Sequence, residues 1–414
     1  MSAVVTGIGV VAPNGIGHEA YWSATLAGVS GVGPIERFDA SGYRCCLGGE
    51  VDDAAIAGVP GRLAAQTDRW TQLGLAGTEL ALADAGLDPS TVDDYRLAVI
   101  TASSSGGNEF GQREIERLWA HSPEHVSAYQ SIAWFYAATT GQVAIRHGMR
   151  GPCGVVVAEQ AGGLEALSDA RRALDSGAVA VVTGGTEAPL SPYALVCQAT
   201  SGRLTDAADP ADAYRPFAAD ANGHVPGEGG AMLIVEQAGR AAAPYGTIRG
   251  YANTFDPRPG SGRPPSLVRA IRLALQAAHV TSEEIDVVFA DAAGVPELDR
   301  IESDALRAVF GPHGVPVTAP KTMTGRLYAG GASLDVATAL LSLRHQIIPP
   351  TIGPAPDPRY ELDLVLREPR PATLRNALVL ARGYGGFNSA MVLGAAPGNT
   401  DGAARSDGPH RTDD

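Results

Sequence analysis

Cysteine is scarce. The chain has four in 414 residues, at positions 45, 46, 153 and 197. They form no CxxC pair and lie near no histidine cluster, so the common zinc spacings are excluded and no metal site is expected. Adjacent Cys45 and Cys46 read as reduced, structural thiols. A long apolar run is also missing. Hydrophobic residues make up 45% of the chain, yet no stretch reaches membrane-spanning length, and no membrane partner is expected. The start, MSAVVTGIGVVAPNG, lacks the basic segment and apolar run of a secretory signal, so the expected location is cytoplasmic. Basic charge is in deficit, 31 Lys and Arg against 45 Asp and Glu for a net −14. That argues against a nucleic-acid partner. The GxGxxG fingerprint is absent as well. Gly7 and Gly9, at the end of a strand expected over 2–8, read as a tight turn, not a phosphate loop.

The length suits a large core built from two similar halves. In the first half, helices are expected over 19–27 and 67–85. A buried strand over 96–101 runs into a loop of small residues, 102–107, and then a helix over 108–119. Ser122-Pro123 is a hinge. The next segment, 126–145, carries Tyr129, Trp134, Phe135 and Tyr136, a cluster that fits either a core or a subunit interface. The Gly/Ala-rich stretch 239–246 reads as the boundary, giving halves 1–240 and 241–396 and a tail, 397–414, too polar and glycine-rich to order itself. The second half repeats the sequence of elements: strand 247–252, helix 266–278, strand 285–290, helix 294–310, helix 333–346, and closing strands 362–366, 376–381 and 389–393. Such alternation predicts α/β layers.

One stretch organises the rest, CGVVVAEQAGGLEALSDARRALDSGAVAVVTGGTE, from Cys153 to Glu187. An apolar strand over 155–157 meets Glu159-Gln160-Ala161-Gly162-Gly163, a helix follows, and a β-branched strand over 179–183 ends at Gly184-Gly185. This is the pattern of a nucleophile elbow, where a side chain stands at a helix N-terminus and glycines relieve the crowding. The side chain presented is Gln160, and a carboxamide is no nucleophile. Cys153, at the start of the strand, is expected to be buried and out of reach.

Along nearly its whole length the chain resembles the β-ketoacyl synthases. Within them it is similar to the chain-length factors, or ketosynthase beta subunits, of bacterial type II polyketide synthases. The motifs that carry the resemblance are VVTGIGVVAPNG, VAEQAGGLEAL, VPGEGGAMLIVE, FDPRPGSGRP, AGVPELD, PKTMTGRLYAGG and GYGGFNSAMVL. The implied fold is thiolase-like, two similar βα halves in five layers (αβαβα). The resemblance places the family's nucleophilic Cys at Gln160 and its two catalytic His at Ala293 and Arg326, while Lys321 is retained.

Condensation needs a thiolate to carry the growing acyl chain and donors to hold the enolate left when malonyl loses CO₂. Gln160 forms no thioester, Ala293 has no donor in its side chain, and Arg326 stays protonated. Of the nine histidines, His224 alone falls in a loop near the implied site. Whether the chain is an enzyme in its own right is therefore left open. The resemblance implies a heterodimer with a ketosynthase alpha subunit, a poly-β-ketone substrate carried on a phosphopantetheinyl acyl carrier protein, and no further cofactor. It also implies a tunnel closed by Asn108, Gly111 and Ile115, whose spacing puts them on one helix face. Tyr129 and Trp134 would lie at the interface. Small residues on that face imply a long tunnel. For Gln160 the leading reading is structural, an amide filling the elbow and bonding locally. The alternative is a malonyl-carrier decarboxylase making acetyl starters through Gln160. A third reading is a free-standing acyltransferase or hydrolase with another nucleophile.

Overall fold

In the computed structural model, described for residues 3–396 other than 241, 242 and 259, one long sheet runs through both halves. Its strand order is Asp363–Leu364, Pro316–Thr318, Val287–Phe289, Asn376–Arg382, Phe387–Ala395, Gly246–Phe255, Ala3–Ala12, Gly229–Gln237, Ala180–Glu187, Leu97–Ala102, Cys153–Val156. The order is mirrored about its centre. In each half two antiparallel pairings are followed outward by parallel ones. The halves join where residues 3–5 pair antiparallel with 246–248. Parallel neighbours need crossover helices, and these supply the remaining layers.

The middle layer is made by helices Gly162–Asp175 and Ala329–His345. In the second, every residue from Ala329 to Leu343 is buried, with Thr338 and Ser342 bonding back to the helix backbone and Asp335 paired with Lys321. Arg69–Ala85 and Ala138–His147 cover the sheet of the first half, and Leu267–Ala278 and Pro296–Phe310 that of the second. The result is the five-layer αβαβα arrangement of an α/β protein.

Several local expectations are corrected. Gly7 and Gly9 do not turn the chain, because the strand continues from Ala3 to Ala12. They are small because helix Arg69–Ala85 lies on them. A Cβ on Gly9 would stand 1.9 Å from the Gly77 carbonyl oxygen, and one on Gly7 2.2 Å from that of Ala81. Gly330 and Gly331 likewise belong to the helix, which starts at Ala329 and not at 333. A Cβ on Gly330 would lie 2.2 Å from the Gly229 carbonyl oxygen. Gly184 and Gly185 sit inside a strand that runs on to Glu187. The aromatic segment 126–145 is broken into a short helix, Gln130–Ala133, and the separate Ala138–His147. Cys153 is exposed, not buried, because it opens the outermost strand of the sheet. The tail 397–414 lies outside the described residues.

Candidate active site

The elbow is formed as its residue types require. Strand Cys153–Val156 leads to a single 3₁₀ turn, Glu159–Ala161, and the helix Gly162–Asp175. Glu159 takes a positive φ of 50°, a cost of about 1–3 kcal/mol that the surroundings must impose. Gln160 is wholly buried. It faces the backbone of the middle-layer helix, where a Cβ on Gly331 would be 2.9 Å from Nε2. Neither Oε1 nor Nε2 has a hydrogen-bond partner among the described residues. The local bonding expected of this amide is therefore not made. Its carboxamide fills space that a smaller side chain would leave, at the cost of two unpartnered polar atoms.

Beside the elbow lies a cavity of about 800 Å³. Its lining includes Glu159, His224, Ala293, Arg326, Tyr328 and Tyr384, but not Gln160. Two of the three positions implied by the resemblance, Ala293 and Arg326, thus meet at one cavity, and the third is represented there by its neighbour Glu159. His224 does lie at the site. Burial first, and then the charge of Arg326, push its imidazole down to about 3, so the ring is neutral.

Arg326 is almost fully buried and held on all sides. It donates to Asp291 Oδ1 at 3.0 Å and Oδ2 at 3.3 Å, to the Asp291 carbonyl at 3.3 Å and to the Arg382 carbonyl at 2.8 Å. Burial alone would raise the Asp291 carboxyl, but Arg326, Lys321 and Arg382 outweigh it and hold it below the usual aspartate value. Lys321, the only lysine in the sequence, is buried too. It donates to the carbonyls of Ala290 at 2.5 Å and Asp291 at 3.1 Å, and pairs with Asp335 at 2.8 Å. The loop carrying Ala293 is pinned from below. Glu302 accepts from the Asp291 and Ala292 amides at 2.7 and 2.8 Å, and Asp299 from those of Gly294 and Phe217 at 3.0 and 2.8 Å. Sequence reasoning missed Asp291, Glu302, Asp335 and Arg382. An acidic residue within the apolar run 329–343 was the signal available for Asp335.

Chemically, Arg326 and Lys321 are cations bound to internal anions, and among the described residues no cysteine lines the cavity. Among the described residues no cluster of His, Cys, Asp and Glu could hold a metal ion, and no helix is long and apolar enough to cross a membrane.

Burial pushes the Asp299 carboxyl from 3.8 up to about 7. A raised value means that the fold prefers the neutral form. The group's contribution to stability is complete below pH 3.8 and is lost as pH rises to about 7. We expect Asp299→Asn, which cannot ionise, to show a shallower fall in unfolding free energy between those pH values than the wild type. The difference should be on the order of a few kcal/mol, measured by denaturant titration at each pH. Parallel pH profiles would contradict this.

The helix expected to close a tunnel spans Asn108–Ala120. Asn108 is partly buried, Gly111 is buried and Ile115 is exposed. Next to it the surface is unusually apolar: Trp119 is 82% exposed, Phe135 53%, Trp134 46% and Tyr129 39%. Large aromatic side chains left open to water together are uncommon on a protein surface.

Two mirrored βα halves around a shared layer of two helices, with an elbow at the head of one of those helices, define a thiolase-like protein. More narrowly, the chain belongs to the β-ketoacyl synthase family. Residues 2–241 match the model of the β-ketoacyl synthase N-terminal domain, and residues 245–354 that of the C-terminal domain. The chain is 61% identical to the tetracenomycin polyketide synthase ketoacyl synthase beta subunit of Streptomyces glaucescens, over 94% of this chain and 97% of that one. Among solved structures it resembles the ishigamide ketosynthase/chain length factor, with a TM-score of 0.87 and 27% identity over 95% of this chain and 99% of that one. It also resembles a type II polyketide synthase ketosynthase complexed with its acyl-carrier protein, AntDE:AntF, with a TM-score of 0.85 and 25% identity over 95% and 99% of the two chains.

Proposed function

We propose that this chain is the non-condensing, length-setting subunit of a type II polyketide synthase. It works as a heterodimer with a ketosynthase alpha subunit that supplies the thiolate and the imidazoles. Its substrate is a poly-β-ketone held on the phosphopantetheine arm of an acyl carrier protein, and no other cofactor is needed. The observation that carries this is the Arg326–Asp291 ion pair. Where a ketosynthase needs a donor free to meet an enolate, this chain has a cation already committed to its own aspartate. The exposed aromatics of segment 129–135 give the partner a surface to cover, with Tyr129 and Trp134 in the contact. Asn108, Gly111 and Ile115 then face the growing chain from beside that contact.

The test is reconstitution with malonylated carrier protein. Alone, the chain should release no CO₂ above background and make no polyketide. With a Cys-bearing ketosynthase the complex should do both. Gln160→Ala should leave CO₂ release and product length unchanged, because the Gln160 amide does not border the cavity. A collapse of CO₂ release in Gln160→Ala, with length unchanged, would replace this reading with that of a starter-generating decarboxylase.

A further inference from the structure

Two buried carboxylates take no part in the network around Arg326. Glu187 ends the strand Ala180–Glu187 and is wholly buried. Its oxygens accept from the Ser104 amide, from Ser104 Oγ at 3.0 Å, from the Ser105 amide at 3.4 Å and from Ser105 Oγ at 2.5 Å. Asp68, also buried, caps helix Arg69–Ala85 through the Trp70 amide at 3.2 Å. Its other oxygen takes the Phe110 amide at 2.7 Å, in the first turn of helix Asn108–Ala120. Among the described residues neither carboxylate forms an ion pair. Burial pushes both up to about 7 against the pull of those amides and hydroxyls. A carboxylate this deep, with donors and no cation, is an expensive way to fill a core.

All but one of those donors come from residues 104–110, the segment that delivers Asn108, Gly111 and Ile115. The same segment is tight on its other side. The Gly107 amide donates to the Trp134 carbonyl at 3.2 Å, and a Cβ on Gly107 would stand 2.2 Å from the Ala133 carbonyl oxygen. The loop is therefore clamped between the carboxylates and the apolar surface segment, and the helix has one place to stand.

We propose that Glu187 and Asp68 are positioning residues for product length, fixing how far helix Asn108–Ala120 projects toward the growing chain. This rests on the tunnel reading proposed above. The test assembles the full chain with its ketosynthase and malonylated carrier protein. It compares the wild type with Glu187→Gln, with the pair Ser104→Ala/Ser105→Ala, and with Gly111→Trp. Glu187→Gln should raise the ratio of neighbouring-length to parent-length product roughly tenfold, the scale of one charge-assisted hydrogen bond, at unchanged heterodimer content. The serine pair, which removes only two hydroxyls, should move the ratio in the same direction and decides the matter if Glu187→Gln does not assemble. A role confined to packing would lower total product and leave the ratio alone, which overturns the proposal. If only Gly111→Trp changes length, the proposal fails and the tunnel reading stands. If none of the three does, the tunnel reading fails with it.

Discussion

Replacing Arg326 with alanine should lower the unfolding free energy by about 3–5 kcal/mol, the range for breaking a buried ion pair from one side. Arg326 is 4% exposed and Asp291 1%. Its removal leaves that carboxylate short of its nearest cation and the Arg382 carbonyl without its donor. Glu159, whose carboxyl burial already raises, loses the positive charge that opposes the rise. Arg326→His should be destabilising as well, because an imidazole has two ring nitrogens to replace a guanidinium that makes four contacts. It should not restore condensation, since Gln160 and Ala293 remain. The measurement is chemical denaturation of each variant. An Arg326→Ala variant within about 0.5 kcal/mol of wild type, the scatter of ordinary surface substitutions, would show that the pair carries no such energy.

How much of this was legible beforehand depends on whether the partners are near in sequence. The elbow, the repeated alternation and the helix expected over 108–119 are local patterns, and their order could be read directly. The glycine pairs were misread as turns because what crowds Gly9 is the carbonyl of Gly77, on another element. The resemblance puts Arg326 where the family has an imidazole, but could not show it as half of an ion pair, because Asp291 lies 35 residues away. Gln160 went the opposite way. Amides usually find partners, so local bonding was expected, but the carboxamide packs against Gly331 and has none among the described residues. The role of Glu187 was hidden because nothing in the run of serines at 103–105 names the carboxylate, some eighty residues on, that accepts from them.

Gly111→Trp, assembled with its ketosynthase, should shorten the polyketide. Glycine in a helix interior costs roughly 0.5–1 kcal/mol relative to alanine, so its place at the fourth position of helix Asn108–Ala120 needs a reason. Packing within this chain does not supply one. A Cβ at 111 would meet only Gln130 Nε2, at 3.6 Å, which is ordinary contact. The other glycines discussed above are different, since Gly9, Gly107 and Gly330 each have backbone within about 2.2 Å of the missing Cβ. Glycine at 111 therefore keeps open a space that this chain leaves unfilled, next to the apolar surface that a partner would cover. Gly111→Ala should stabilise the helix by up to about 1 kcal/mol with little change in product, because one methyl fits. An indole puts a large rigid side chain into the same space, and the growing chain should stop earlier for lack of room. Mass spectrometry of the products reads the result, and size-exclusion chromatography confirms that the heterodimer is intact. An intact complex of Gly111→Trp making product of parent length would place the length-setting surface elsewhere.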